Sequence, residues 1–215
     1  MEQITDGMKM NNDSVSYKAP KTNSMAAIST YVVISAAVFI YGLIYIEGAI
    51  LTKIGLFVIG ILLFTFLEYV FHRFVYHSGE DYMAEENWQY KVHGVHHDHP
   101  KDKDLLAMPI PLAILLGAIF FGIFWLILSD HTFFFWPGFF VGYASYLYVH
   151  YIVHAWKPPT NFFKILWDHH NLHHYVYDDK AYGVSSPLWD IVFGTMPPKG
   201  PIPRQKRRRE KQTKA

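Results

Sequence analysis

Ten of the thirteen histidines in this 215-residue chain fall into four compact groups. His72 and His77 form the first; His93, His96 and His97 the second; His150 and His154 the third; His170, His173 and His174 the fourth. Imidazole is a nitrogen ligand suited to Fe, Zn, Cu or Ni, so the residue type points to metal without choosing among these. On a helix, His150 and His154 project from one face toward a common point. His93 has the same relation to His96 and His97, and His170 to His173 and His174. Adjacent histidines such as His96 and His97 diverge by about 100° on a helix, so one of each doublet can serve one metal and its neighbour a second. His72 and His77, five residues apart, share no α-helical face, and the helix must end or distort between them. Ten imidazoles are too many for one ion; two metals with five ligands each match the number. The chain has no cysteine, which excludes disulfide frameworks, thiolate zinc fingers, iron–sulfur clusters and a cysteine nucleophile.

The elements that must position these groups are apolar. Ala26–Ile46 carries no charge, Ile54–Phe71 only Glu68, and Leu105–Ser129 none, with Pro109 and Pro111 near its start, where a helix tolerates proline. Thr132–Val149 is a fourth such stretch, rich in Phe and Tyr. About 20 apolar residues cross a bilayer core, so the expected fold is all-α: a four-span integral membrane helical bundle under a cap holding the histidines. Two short connections, Glu47–Lys53 and Ser129–Thr132, make two hairpins. Both termini and Arg73–Asp104 then lie on one side. Of 19 Lys and Arg only Lys53 falls opposite, which puts that side in the cytosol. The second and fourth spans both end there, so their histidines lie at one depth. The polar N-terminus gives no sign of a signal peptide. The tail Arg204–Lys214 has seven basic residues and one acid and is expected to set orientation or meet anionic lipid. Glu68, Asp98, Asp168 and Asp190 are candidates to orient the ligand rings, unless they pair with Arg73, Lys91 or Lys164. Trp156, Trp167 and Trp189 are expected in an interfacial belt or a lid.

The segments Glu68–His77 (EYVFHRFVYH), His93–His97 (HGVHH), Gly142–His154 (GYASYLYVHYIVH) and His169–Gly194, ending in GVSSPLWDIVFG, resemble the fatty acid hydroxylase superfamily. The likeness covers about residues 60–197 and is greatest to its fatty acid 2-hydroxylases. It implies a four-helix transmembrane core and a cytosolic dimetal cap that uses O2 and an electron donor to insert a hydroxyl, or sometimes a double bond, into a lipid. It carries over as ligands His72, His77, His93, His96, His97, His150, His154, His170, His173 and His174, and leaves out His99, His131 and His169. Tyr146 matches a tyrosine near the substrate in similar hydroxylases, while Leu147 stands where they usually have an acid. No His-Pro-Gly-Gly haem signature is present, so electrons are expected from a separate protein, cytochrome b5-like or ferredoxin-type.

These readings make residues 1–25 a polar cytosolic segment, 26–197 the membrane hydroxylase domain and 198–215 a basic tail. The spans are about 26–46, 54–71, 109–129 and 132–150, and the cap comes from 72–108 and 151–197. An acyl C–H bond is beyond acid–base side chains, so the expected activity is 2-hydroxylation of a fatty acyl chain, free or in a sphingolipid, at a nonhaem site with two iron ions. Zinc is a possible occupant of purified protein. The setting is a bacterial inner membrane, or the endoplasmic reticulum in a eukaryote, and no nucleic acid is involved. The same centre could act on a sterol, carotenoid or other alkyl lipid. A metal-handling membrane protein is the reading from another class, but transporters need polar groups along the membrane midplane, whereas these histidines sit at the span ends.

Overall fold

A computed structural model describes residues 20–79 and 82–199. Most of the polar N-terminal segment and the basic tail lie outside the described residues. Those described form helices and loops, with no strand among them: α1 (Ser24–Tyr45), α2 (Ile50–Phe71), α3 (Val95–Asp98), α4 (Ile110–Leu128), α5 (Thr132–Ala155), α6 (Lys164–Tyr175) and α7 (Leu188–Val192). Single turns of π-helix occupy His72–Tyr76 and Tyr90–Gly94.

Three helical stretches are long and apolar enough to cross a membrane: Ser24–Tyr45, Ile50–Tyr76 and Lys103–Ala155. The third would measure about 80 Å as one rod, but the chain breaks it at Ser129, where φ is +47°. There α4 ends and α5 returns along it, packing Phe135 on Phe124 and Phe139 on Phe120. The outer faces carry large apolar side chains, with Leu126 89% and Leu51 79% exposed. Helices apolar all round belong in a core or a bilayer; these are on the surface, and the chain is a membrane protein.

α5 is the central helix and packs along both α1 and α2. Its approach to α2 is backbone to backbone. A Cβ on Gly138 would lie 1.9 Å from the Phe57 carbonyl oxygen, and one on Gly60 would lie 2.1 Å from that of Phe135. Between apolar helices in lipid there is no hydrophobic drive to associate, so close contact between small residues supplies the attraction instead. Aromatic contacts complete the bundle: Tyr31 of α1 lies against Phe140 and Tyr143, and the Trp136 indole donates to the Gly117 carbonyl of α4 at 2.7 Å.

Helix limits differ from the sequence expectation at two points that matter. α2 starts at Ile50, before Lys53, because that lysine is not in the connection. It lies within the helix, 7% exposed, with Nζ donating to the Ile46 carbonyl at 2.5 Å and resting over the Phe134 ring. α5 continues past residue 150 to Ala155 and so carries His150 and His154 on one unbroken face.

Candidate metal centre and its cavity

Five segments bring the histidines together. The π turn after α2 closes with the His77 N–H donating to the His72 carbonyl at 3.2 Å. Five residues then make one turn, and the His72 and His77 rings, which an α-helix would splay apart, lie 4.9 Å from each other. The helix does distort between them, and the distortion is this wider turn. The second π turn carries His93 and runs into α3 with His96 and His97. α5 supplies His150 and His154; α6 supplies His170, His173 and His174.

Two groups of five result, and in each the candidate ligand atoms all lie within 4.8 Å of one another. The first is His72, His77, His93, His97 and His173; the second is His96, His150, His154, His170 and His174. Each adjacent doublet is divided between the groups. His77 and His154 are partly exposed and the other eight are buried. The groups touch: the His97 and His174 rings stack with centroids 4.2 Å apart.

The nitrogen contacts test whether a cation fits. His93 Nε2 lies 3.1 Å from Nε2 of His72, 3.2 Å from that of His77 and 2.9 Å from that of His97. In the second group, Nε2 of His150 and His96 are 2.9 Å apart, those of His154 and His170 are 2.8 Å apart, and buried His174 Nε2 meets no hydrogen-bond partner. One nitrogen with at most one proton cannot bond to three others, and bare lone pairs that close repel. Two ligands about 2.1 Å from an ion and at right angles to each other are about 3.0 Å apart, which matches these edges. The residues therefore fit a metal ion in each group.

Charge agrees with geometry. Burial first, and then the neighbouring imidazoles, holds His93, His96, His97, His170 and His174 far below the ordinary histidine range. Burial has the same net effect on His173. These rings are neutral, with a lone pair free to bind metal.

The acids act less directly than expected. Asp168 pairs with Lys164 on the exposed surface at 2.5 Å and faces no ligand. Asp98 is exposed. Glu68 accepts from the Val184 and Ser185 N–H groups at 2.7 and 2.9 Å and from the Ser185 hydroxyl. Asp190 is fully buried and bonded to His169 at 2.9 Å. What orients two of the candidate ligand rings is backbone: His72 Nδ1 donates to the Tyr182 carbonyl at 2.5 Å, and His173 Nδ1 to that of Lys180 at 2.8 Å. A carbonyl has no side-chain signature in a sequence, which is why these partners were missed; the nearest signal is the GVSSPLWD stretch beside them. Trp167 is buried, its indole donating to the Trp156 carbonyl at 3.0 Å, and is part of no belt. Trp189 reaches Thr65 of α2 at 3.1 Å.

A cavity of about 510 Å³ meets both groups: His72 and His93 of the first and His96 and His150 of the second line it. From there it passes Glu68, Tyr146 and Tyr143 and runs between α2, α4 and α5 among Leu116, Phe120, Phe139 and Phe140. Phe139 precedes His150 by eleven residues, about 16 Å along the helix. Tyr146 stands one turn before His150 with ring centroids 5.4 Å apart. Leu147 is buried in the helix core and is not in the wall.

Comparison with known proteins gives a consistent match. The fatty acid hydroxylase family profile covers residues 57–195. A dihydroceramide fatty acyl 2-hydroxylase of Arabidopsis thaliana is 37% identical over 144 residues, 65% of this chain and 60% of its own length. A fatty acid 2-hydroxylase of Mus musculus is 35% identical over 157 residues, 70% of this chain and 42% of its own. The chain thus spans about half the length of these relatives. Among solved structures, full-length Scs7p with only its hydroxylase domain visible matches with a TM-score of 0.75 and 29% identity, over 86% of this chain and 71% of that one.

Proposed function

The chain belongs to the fatty acid hydroxylase family, and from that membership we propose that it is a membrane-bound, O2-dependent lipid hydroxylase that 2-hydroxylates a fatty acyl chain, free or in a sphingolipid. The observation that carries this reading is the apolar cavity ending on members of both histidine groups. The ten histidines are the ligands of two metals, with iron in the active enzyme. Such ions, when bound, supply the O2 activation and redox steps that putting an oxygen atom into a C–H bond requires; electrons come from a separate cytochrome b5-like or ferredoxin-type protein.

The protein's own residues choose the carbon. A lipid tail entering from the bilayer leaves one apolar medium for another, so burial gives little net affinity; the shape of the wall decides which chains fit. Phe120, Phe139 and Phe140 receive the distal chain, and the acyl head stops beside His72, His93, His96 and His150. Tyr146 borders the reacting segment and positions it. The apolar wall excludes water. In this reading residues 26–197 are the hydroxylase domain, with four spans paired as two hairpins. Both termini and the metal centre are cytosolic.

Lipid mass spectrometry of cells with and without the protein, grown in air, tests the proposal. The expected product is a 2-hydroxyacyl lipid that disappears in His173→Ala while the variant stays in the membrane fraction. Hydroxylation of a sterol or carotenoid instead would move the substrate and keep the centre. Undiminished product in His173→Ala would overturn the ligand set.

A further inference from the structure

The two groups of histidines are supported differently. In the first, the Nδ1 atoms of His72 and His173 donate to carbonyls of one short segment, 180–185. In the second, four of the five Nδ1 atoms, those of His96, His150, His170 and His174, are buried and meet no protein acceptor, whereas in the first His97 Nδ1 shares that state beside the two supported rings. An Nδ1–H bond to a carbonyl fixes the tautomer that leaves Nε2 free, orients the ring and makes it a stronger donor to metal.

The segment that supplies the carbonyls is itself pinned. Asp190 accepts from the Tyr182 N–H at 2.9 Å, the Gly183 N–H at 2.7 Å and the Thr195 hydroxyl at 2.6 Å, and its fourth partner is His169. A Cβ at Gly183 would lie 2.3 Å from the Ser186 carbonyl oxygen, and Ala181 adopts a φ of +60°. The segment is held in a shape that an unconstrained chain would not favour. His169, which belongs to neither group, is thereby accounted for.

We propose that the two metal positions are unequal: the first group holds its ion more tightly because Asp190, oriented by His169, fixes the 180–185 segment against His72 and His173. Both are positioning residues, acting through backbone on ligands they do not touch. The inference rests on the metal-centre reading above.

The test is release of metal to excess chelator from the purified, fully loaded protein, followed by elemental analysis. Wild type should give up its two ions in separate slow and fast phases. Loss of such an orienting partner typically weakens metal affinity 10–100-fold. Asp190→Asn loosens the carbonyls that are such partners rather than removing them, so it should speed the slow phase by up to about that factor and leave the fast phase unchanged. His154→Ala should remove the fast-phase ion alone. Because Asp190→Asn also disturbs the bonds to Thr195 and the segment backbone, His169→Ala and His169→Gln form a second pair that separates positioning from folding. Alanine removes the donor to Asp190 and should speed the slow phase, whereas glutamine can still donate and should restore it. A single common phase, or equal acceleration of both, would overturn the inequality. Protein that takes up no metal at all would instead overturn the reading on which it rests.

Discussion

At the residue scale, spacing made the ligand candidates legible and burial determines how they behave. Helical offsets of three and four residues brought out His93, His96, His97, His150, His154, His170, His173 and His174, and the split of each doublet follows from the 100° step between neighbours. The pair His72 and His77 was legible only as an anomaly, because an α-helical pattern has no place for five-residue spacing; the π turn provides one. Neutral burial has a pH consequence for the metal-free protein. With folded pKa values depressed below the unfolded value of about 6.5, the unfolded chain binds more protons below that pH, so stability falls as pH falls. Each such imidazole contributes a slope of up to ~1.4 kcal/mol per pH unit until its folded value is reached. Chelator-treated protein should thus lose its cap structure on going from pH 7 to pH 5, while metal-loaded protein, its lone pairs occupied, should resist. Circular dichroism melts across that range check it, and equal melting with and without chelator would contradict it.

At the element scale, apolar length gave away the long helices, but their pairing depends on atoms a hydropathy pattern does not weigh. Lys53 reads as a boundary because it is charged, yet its ammonium rests over the Phe134 ring and caps the end of α1 through the Ile46 carbonyl, so the helix begins before it. Gly60 and Gly138 read as neutral members of apolar runs, although they set the α2–α5 distance. That distance bears on chemistry, since α2 leads into His72 and His77 while α5 carries His150 and His154. Gly138→Leu should force the two backbones apart, with a destabilisation at the upper end of the 1–3 kcal/mol typical of overpacking. Loss of both metals from protein that still enters the membrane is the expected result, read by metal content after detergent extraction. A Gly138→Leu protein with two ions and normal activity would mean that the close approach is not what aligns the two groups.

At the scale of the whole molecule, the hydroxylase reading requires the cap to meet a separate electron-donor protein while the cavity opens to lipid. Both needs are met if the metal centre lies at the cytosolic ends of α2 and α5, with α7 beside it against α2 through Trp189 and Thr65. Thr65 is seven residues before His72, about 10 Å down the helix. The exposed Ile191 and Val192 of α7 then sit at the level of the outer acyl region rather than in water. The absence of native cysteine gives single-cysteine labelling a blank background. Cysteines placed at Gly48 and Asp130, in the two connections away from the centre, should react with an impermeant maleimide only from the non-cytosolic face. One at Asp168 on the cap should react only from the cytosol, and one at Ile191 from neither. Modification of Gly48→Cys and Asp130→Cys from opposite faces would break the pairing of spans into hairpins. Ready modification of Ile191→Cys alone would leave the spans intact and lift α7 clear of the bilayer.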